Sequence, residues 1–213
     1  MEFTRILAIR HGETTWNQDR RLQGQLDIPL NERGHWQAAR AAAALRAEPI
    51  AAVYSSDLAR AHQTAGAIAA ALGLEVRSHT GLRERHFGDF QGKTWTELEV
   101  DEPEAARAWR TRVPDFAPRG GGETLLQLRE RIAAAFDEIA ARHRGEQIVV
   151  VAHGGVLDMV YRLATGLELQ APRTWTVENA AINRLLWTPA GLNLVGWADS
   201  GHLDEAGDDD VSA

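Results

Sequence analysis

Four cationic side chains stand at or just beyond the ends of short apolar runs. Arg10 and His11 follow Ile6-Leu7-Ala8-Ile9, His153 follows Ile148-Val149-Val150-Val151-Ala152, and Arg60 lies shortly after Ile50–Tyr54. Runs of this kind read as buried strands. In an open α/β sheet, ligands collect at the carboxyl ends of the strands, where helix N-termini favour an anion. Two arginines and two histidines at one such edge make a local cation aimed at something small and doubly negative. Phosphate suits it, because the guanidinium fork matches two phosphate oxygens. Each residue alone has an ordinary reading, as a structural histidine or a surface arginine. It is the conjunction of Arg10-His11-Gly12, Ser55–Ala61 and His153-Gly154-Gly155 that marks a site.

The elements that must position these residues alternate along the chain. Strands are expected at Ile6–Ile9, Ile50–Tyr54, Glu75–His79 (the weakest) and Ile148–Ala152. Asn31 can cap a helix to about Arg46 whose inner face carries Trp36, Ala39, Ala43 and Leu45. Ser56 or Asp57 can cap a second, with Leu58, Ala61, Ala65, Ile68 and Leu72 inward and Arg60 in its first turn. Gly81–Gly122, rich in proline and glycine, predicts loops and short helices. A long helix over Glu123–Arg144 and another from His153 to about Ala164 follow, and Asn183–Trp187 with Leu192–Trp197 predicts a closing hairpin. The alternation implies an α/β fold: three layers, a mainly parallel central sheet with helices on both faces. Residues 1–198 read as a single domain, and the acidic stretch 199–213 as a flexible tail.

Composition removes several function classes. The net charge of −7 argues against a nucleic-acid binder, so any phosphate site must be a local positive spot in an acidic protein. The absence of cysteine excludes disulfides, thiolate catalysis and cysteine metal sites. The first residues lack a basic start and an apolar core of signal-peptide type, and no apolar run approaches the ~20 residues of a membrane span. A cytoplasmic protein with a small phosphomonoester partner, no nucleic acid and no membrane is expected; a homodimer through an edge strand is left open.

The chain resembles the histidine phosphatase superfamily, the phosphoglycerate mutase-like proteins. The resemblance runs through Arg10-His11-Gly12-Glu13-Thr14-x-Trp16-Asn17, Arg21-Leu22-Gln23-Gly24, Ser56-Asp57-Leu58-x-Arg60-Ala61 and Leu82-Arg83-Glu84-x-x-x-Gly88. It continues through Gly122-Glu123-Thr124, Ala152-His153-Gly154-Gly155 and Asn179-Ala180. It implies a phosphoglycerate mutase-like fold and these roles: His11 attacks phosphorus and carries the phosphoryl group. Arg10, Arg60 and His153 bind the non-bridging oxygens. Asn17 is an extra donor, and Gln23-Gly24 is the loop at the mouth of the site. Glu84 gives a proton to the leaving oxygen and then takes one from water. A neutral attacking imidazole nitrogen requires a partner for the other N–H. Gly12, Gly154 and Gly155 are expected to let backbone approach the ligand, with Gly154 counted among its contacts. Glu13 and Thr14 are expected to hold the loop, and Glu123, where a helix begins, is either a dipole partner or a site residue. No metal and no cofactor are expected.

Two reactions share this core. Against the mutase pattern, Gly88–Gly122 is short, Trp95 replaces a lysine, Trp109-Arg110-Thr111 keeps one arginine of two, and Gly154-Gly155-Val156 replaces Gly-Asn-Ser. These departures favour hydrolysis over phosphoglycerate mutation dependent on 2,3-bisphosphoglycerate. A non-catalytic phospho-ligand sensor would require the loss of a catalytic residue, and His11, Arg10, Arg60, Glu84 and His153 are all present. Phe87, Phe90, Trp95, Trp109 and Phe116 are candidates for the wall around the leaving group, or for the core.

Overall fold

The computed structural model describes residues 3–204. In chain order the elements are β1 (Thr4–Arg10), α1 (Thr15–Gln18), α2 (Glu32–Leu45), β2 (Ile50–Ser55), α3 (Ala59–Leu72), β3 (Val76–Ser78), α4 (Trp95–Asp101), α5 (Pro103–Arg110), α6 (Leu125–Ala141), β4 (Gln147–Ala152), α7 (Gly154–Thr165), β5 (Ile182–Thr188) and β6 (Gly191–Asp199). The six strands form one sheet in the order β3-β2-β4-β1-β5-β6, parallel from β3 through β1 and antiparallel across the β5–β6 hairpin.

The apolar runs of β1 and β4 are buried on both faces, as a central parallel pair requires. Ile6, Ala8, Ile148, Val150 and Ala152 face one core with α6 and α7, while Leu7, Ile9, Val149 and Val151 face the other with α2 and α3. The expected three layers follow from this alternation. After β1 the chain goes to the α2–α3 side, and after β4 to the α6–α7 side. The carboxyl ends of these adjacent strands therefore border a crevice, the place where open α/β sheets bind ligands.

Several local expectations need correction. The inner face of α2 is Gly34, Ala38, Ala41, Ala42 and Leu45; Ala39 and Ala43 are exposed, and Trp36 is half-buried with the Arg33 guanidinium 3.9 Å over its ring. In so alanine-rich a helix the face is chosen by closeness to α3, which small residues allow, not by the bulk of Trp36. Neither Ser56 nor Asp57 is the N-cap of α3. Leu58 occupies that position, and Asp27 Oδ1, from another loop, accepts the Ala59 N–H at 2.6 Å. Asp57 is held instead by both forks of Arg83. Helix α6 is shorter than expected because Thr124 and Gln127 close a capping box at its start. Leu72 is only half-buried.

The expected tail boundary also moves. Asp199 closes β6 and pairs with Arg184 at 2.7 Å, and Arg40 donates to the carbonyls of His202 and Asp204. Glu205 and Asp208–Asp210, the rest of the acidic stretch, lie outside the described residues. Among the described residues no helix is long and apolar enough to cross a membrane.

Candidate active site

β1 and β4 deliver their terminal residues side by side. His11 and His153 follow the two strands, with ring centroids 5.3 Å apart and the His11 N–H on the Ala152 carbonyl at 3.0 Å. Both imidazoles are buried, at 3% and 0% exposure. His11 Nδ1 lies 2.7 Å from the Gly12 carbonyl. A carbonyl can only accept, so Nδ1 carries the proton and Nε2 keeps its lone pair. Burial, and then the Arg60 and Arg10 charges, push the His11 pKa well below 6.5. Burial first, then Arg60, His11 and Arg10, does the same to His153. Both rings are therefore neutral at neutral pH, and His11 offers a free nitrogen without needing a base to strip it.

The backbone around His11 is tied from several directions. Asn179 Nδ2 donates to the His11 carbonyl at 2.8 Å, the Gly12 N–H goes to Thr64 Oγ1, and the Ala180 N–H goes to the Arg10 carbonyl. Glu13 accepts from Gln18 and Asn31, while Thr14 and Asn17 form the capping box of α1. That box occupies Asn17 Oδ1, which leaves the Asn17 amide N–H groups for the cavity.

The cavity, about 140 Å³, is lined by Arg10, His11, Asn17, Gln23, Gly24, Arg60 and Glu84, together with Arg21, Leu22 and Phe87. Arg10 Nη1 holds the Val177 carbonyl at 2.6 Å, and the Arg60 Nη groups hold Gly24 and Leu26 at 2.7 and 2.8 Å. Yet Arg10 Nε, Arg60 Nε and both ring nitrogens of His153 are buried without a hydrogen-bond partner in the protein, as is Gln23 Oε1. Buried polar groups are almost always paired. Of these, Arg10 Nε, Arg60 Nε and the single N–H of the neutral His153 ring are unpaired donors, and their gathering beside a free imidazole nitrogen is a binding site for an acceptor-rich anion. Burial lowers the pKa of Arg10, and that of Arg60 to about 10, which leaves Arg60 charged at neutral pH.

Glu84 is 8% exposed, with Oε1 accepting from the Arg85 N–H at 2.8 Å and Oε2 from the Gly155 N–H at 2.9 Å. The loop that carries it is gripped by Arg131, which donates to the carbonyls of Gly81 and Arg83 and pairs with Glu123. Glu123 thus stands just before Thr124, the N-cap of α6, as the ion-pair partner of Arg131.

Gly12 and Gly155 make room for neighbouring groups of the protein. A Cβ on Gly12 would stand 2.4 Å from the Gly34 carbonyl oxygen, and one on Gly155 would stand 2.4 Å from Glu84 Oε1. On Gly154 it would make only ordinary contact, 3.6 Å from Arg10 Nε. Of the aromatic candidates, only Phe87 lines the histidine cavity. Phe90, Trp95 and Phe116 pack with Leu98 and Ala106 in a small satellite core, and Trp109 meets Phe87 edge-on at 5.0 Å.

One family description spans this arrangement: the histidine phosphatase superfamily (branch 1) matches residues 6–200. The chain belongs to that superfamily. It is 42% identical over 210 residues to phosphoglycerate mutase-like protein 4 of Arabidopsis thaliana, covering 97% of this chain and 90% of that one. A metal-independent phosphoserine phosphatase of the same plant is 41% identical over 208 residues, covering 97% and 86%. The solved mycobacterial glucosyl-3-phosphoglycerate phosphatase superposes with a TM-score of 0.83 at 33% identity, covering 93% and 100%.

The chain also relies on Arg131 and Thr64, which the sequence did not mark, and on Asn179 as holders of the loops around His11 and Glu84. The Asn179-Ala180 pair stood out in the sequence without a task. Arg131 and Thr64 had no signal, being a polar position on one long helix and one alanine-rich helix. Among the described residues no group of three or more His, Asp or Glu is placed to hold a metal ion.

Proposed function

We propose that the protein is a phosphomonoesterase that hydrolyses a small phosphorylated metabolite through a phosphohistidine on His11. The observation that carries this is the set of unpaired buried donors, Arg10 Nε, Arg60 Nε and the His153 ring, around an imidazole whose Nε2 lone pair is free. His11 Nε2 bonds to phosphorus as the ester P–O bond breaks, and Glu84 gives its proton to the departing oxygen. Water then attacks the phosphorus, Glu84 takes back a proton, and His11 leaves as the neutral imidazole. Arg10, Arg60, His153 and the Asn17 amide stabilise the charge spread over the three equatorial oxygens.

Hydrolysis is favoured over mutation. The arginine retained from the mutase pattern, Arg110, is exposed and pairs with Glu99 at 2.6 Å instead of lining the cavity. A metal-independent phosphatase among the relatives agrees with a mechanism built on side chains alone. The test is rapid quenching with a 32P-labelled phosphomonoester. Label held by the protein in base and released in acid, absent from His11→Ala, is expected. Turnover by His11→Ala at the wild-type rate would refute the role. Conversion of 3-phosphoglycerate to 2-phosphoglycerate, primed by 2,3-bisphosphoglycerate with little free phosphate, would favour the mutase instead.

A further inference from the structure

The backbone that carries the nucleophile passes through two consecutive peptide planes, and each is held at both edges. In the His11–Gly12 plane, Asn179 Nδ2 donates to the carbonyl at 2.8 Å and Thr64 Oγ1 accepts the N–H at 3.0 Å. In the Gly12–Glu13 plane, the carbonyl accepts the His11 Nδ1 proton at 2.7 Å, and the N–H goes to Gln37 Oε1 at 2.8 Å. A backbone N–H only donates, so the Gln37 atom that meets it must be the amide oxygen.

Gln37 is a half-buried side chain of α2, and the helix is close enough for this contact because of Gly34. A Cβ on Gly34 would stand 2.1 Å from the Glu13 carbonyl oxygen and 2.8 Å from the Glu13 nitrogen. The helix backbone therefore lies against the peptide, and Gln37, one turn later on the same side, reaches the Glu13 N–H. Asn31, the N-cap of α2, adds its own N–H to the Glu13 carbonyl at 3.0 Å.

The C=O and N–H of a planar trans peptide point in opposite directions. An acceptor on α2 that draws the Glu13 N–H one way thus turns the Gly12 carbonyl the other way, onto the His11 ring. That carbonyl selects between two neutral imidazoles, because the partner at one nitrogen decides where the single proton stays. With the proton on Nδ1, Nε2 has a lone pair for phosphorus; with the proton on Nε2, the attacking atom has none. Without Gln37 Oε1, the Glu13 N–H must turn to find another acceptor, and the Gly12 carbonyl leaves Nδ1 with it.

We propose that Gln37 is a positioning residue for the nucleophile: its side-chain oxygen sets the Gly12–Glu13 peptide so that His11 keeps its proton on Nδ1 and presents Nε2 to phosphorus. This deepens the phosphatase reading and rests on it for the role of His11.

The test reads the tautomer by NMR of 15N-labelled protein at neutral pH, with the His11 ring assigned by its loss in His11→Ala. Wild type is expected to show a protonated Nδ1 and an unprotonated Nε2. Gln37→Met, which keeps the length and removes the acceptor, should bring the two nitrogen shifts toward each other as the other tautomer appears. Gln37→Glu, which keeps an oxygen at the same reach, should restore the wild-type pattern. On p-nitrophenyl phosphate, Gln37→Met should lower kcat/KM by about five- to thirtyfold, the scale of one lost hydrogen bond, while inhibition by inorganic phosphate stays unchanged. If no ester is hydrolysed but the tautomer still depends on Gln37, the phosphatase reading fails and the positioning role stands. A wild-type tautomer in Gln37→Met, whatever its activity or melting temperature, would overturn the proposal, as would a wild-type His11 with its proton on Nε2.

Discussion

The contact between Gly155 and Glu84 separates catalysis from stability in a single substitution. Gly155 lies in the first turn of α7, with ordinary helical backbone, and an added Cβ would stand 2.4 Å from Glu84 Oε1 and 3.2 Å from its Cδ. The first distance is too short for any real Cβ contact, so in Gly155→Ala the Glu84 carboxyl group must shift, at the expense of its bonds to the Gly155 and Arg85 N–H groups. Losing those two bonds costs about 1–3 kcal/mol. Replacing a helical glycine by alanine contributes about 1 kcal/mol in the other direction. The net loss of stability should therefore be about 0–2 kcal/mol. The chemistry should not be so forgiving, because a positioned general acid is worth about 10²–10⁴-fold. Steady-state kinetics on an alkyl phosphate, whose alkoxide needs a proton, should lose a factor in that range. With p-nitrophenyl phosphate, whose phenolate leaves unaided, the loss should be small. Gly155→Ala should thus reproduce the leaving-group dependence of Glu84→Gln. Wild-type kcat on the alkyl ester would refute the geometry, and equal loss on both esters would show that the damage lies in phosphate binding and not in proton delivery.

Two further outcomes follow from burial and packing. Because His11 and His153 have pKa values well below 6.5, the native state holds both neutral while the unfolded chain takes up protons as the pH falls through 6.5. Their contribution to stability is complete above 6.5 and declines toward the lowered native values by about 1.4 kcal/mol per pH unit for each histidine. Urea midpoints between pH 7.5 and 5.5 should fall less steeply in His153→Gln, and parallel slopes would contradict the assignment. Gly66→Ala, inside α3 with nothing within 4 Å of the added methyl, should raise stability by about 0.5–1 kcal/mol and leave kcat untouched; a lower melting temperature would refute the reading of that position as open.

Much of the site was legible from residues near one another in the chain. Arg10-His11 and His153 are marked by the apolar runs that precede them, since a strand buried on both faces must be apolar throughout and must end where the polar residues begin. Arg60 is marked in the same way by its helix. Glu84 and Asn17 came only through family resemblance, for each sits in or beside a loop with no periodicity of its own. The N-cap of α3 and the inner face of α2 were misread for a related reason: Asp27 caps from another loop, and α2 is oriented by its fit to α3.

What the sequence by itself determined was the set of groups, the alternation that makes a parallel sheet, and the strand ends at which chemistry could occur. Tertiary structure alone decided that β4 lies beside β1, though more than a hundred residues separate them, and so that His153 meets His11. It also decided that Gly155 makes room for Glu84, that Arg131 holds the loop beneath it, that Gln37 reaches the Glu13 N–H behind His11, and that Arg110 turns outward. The physical reason is one of range. Periodicity and capping are written in contacts a few residues apart, whereas convergence of side chains depends on strand order and on hydrogen bonds between loops distant in the chain.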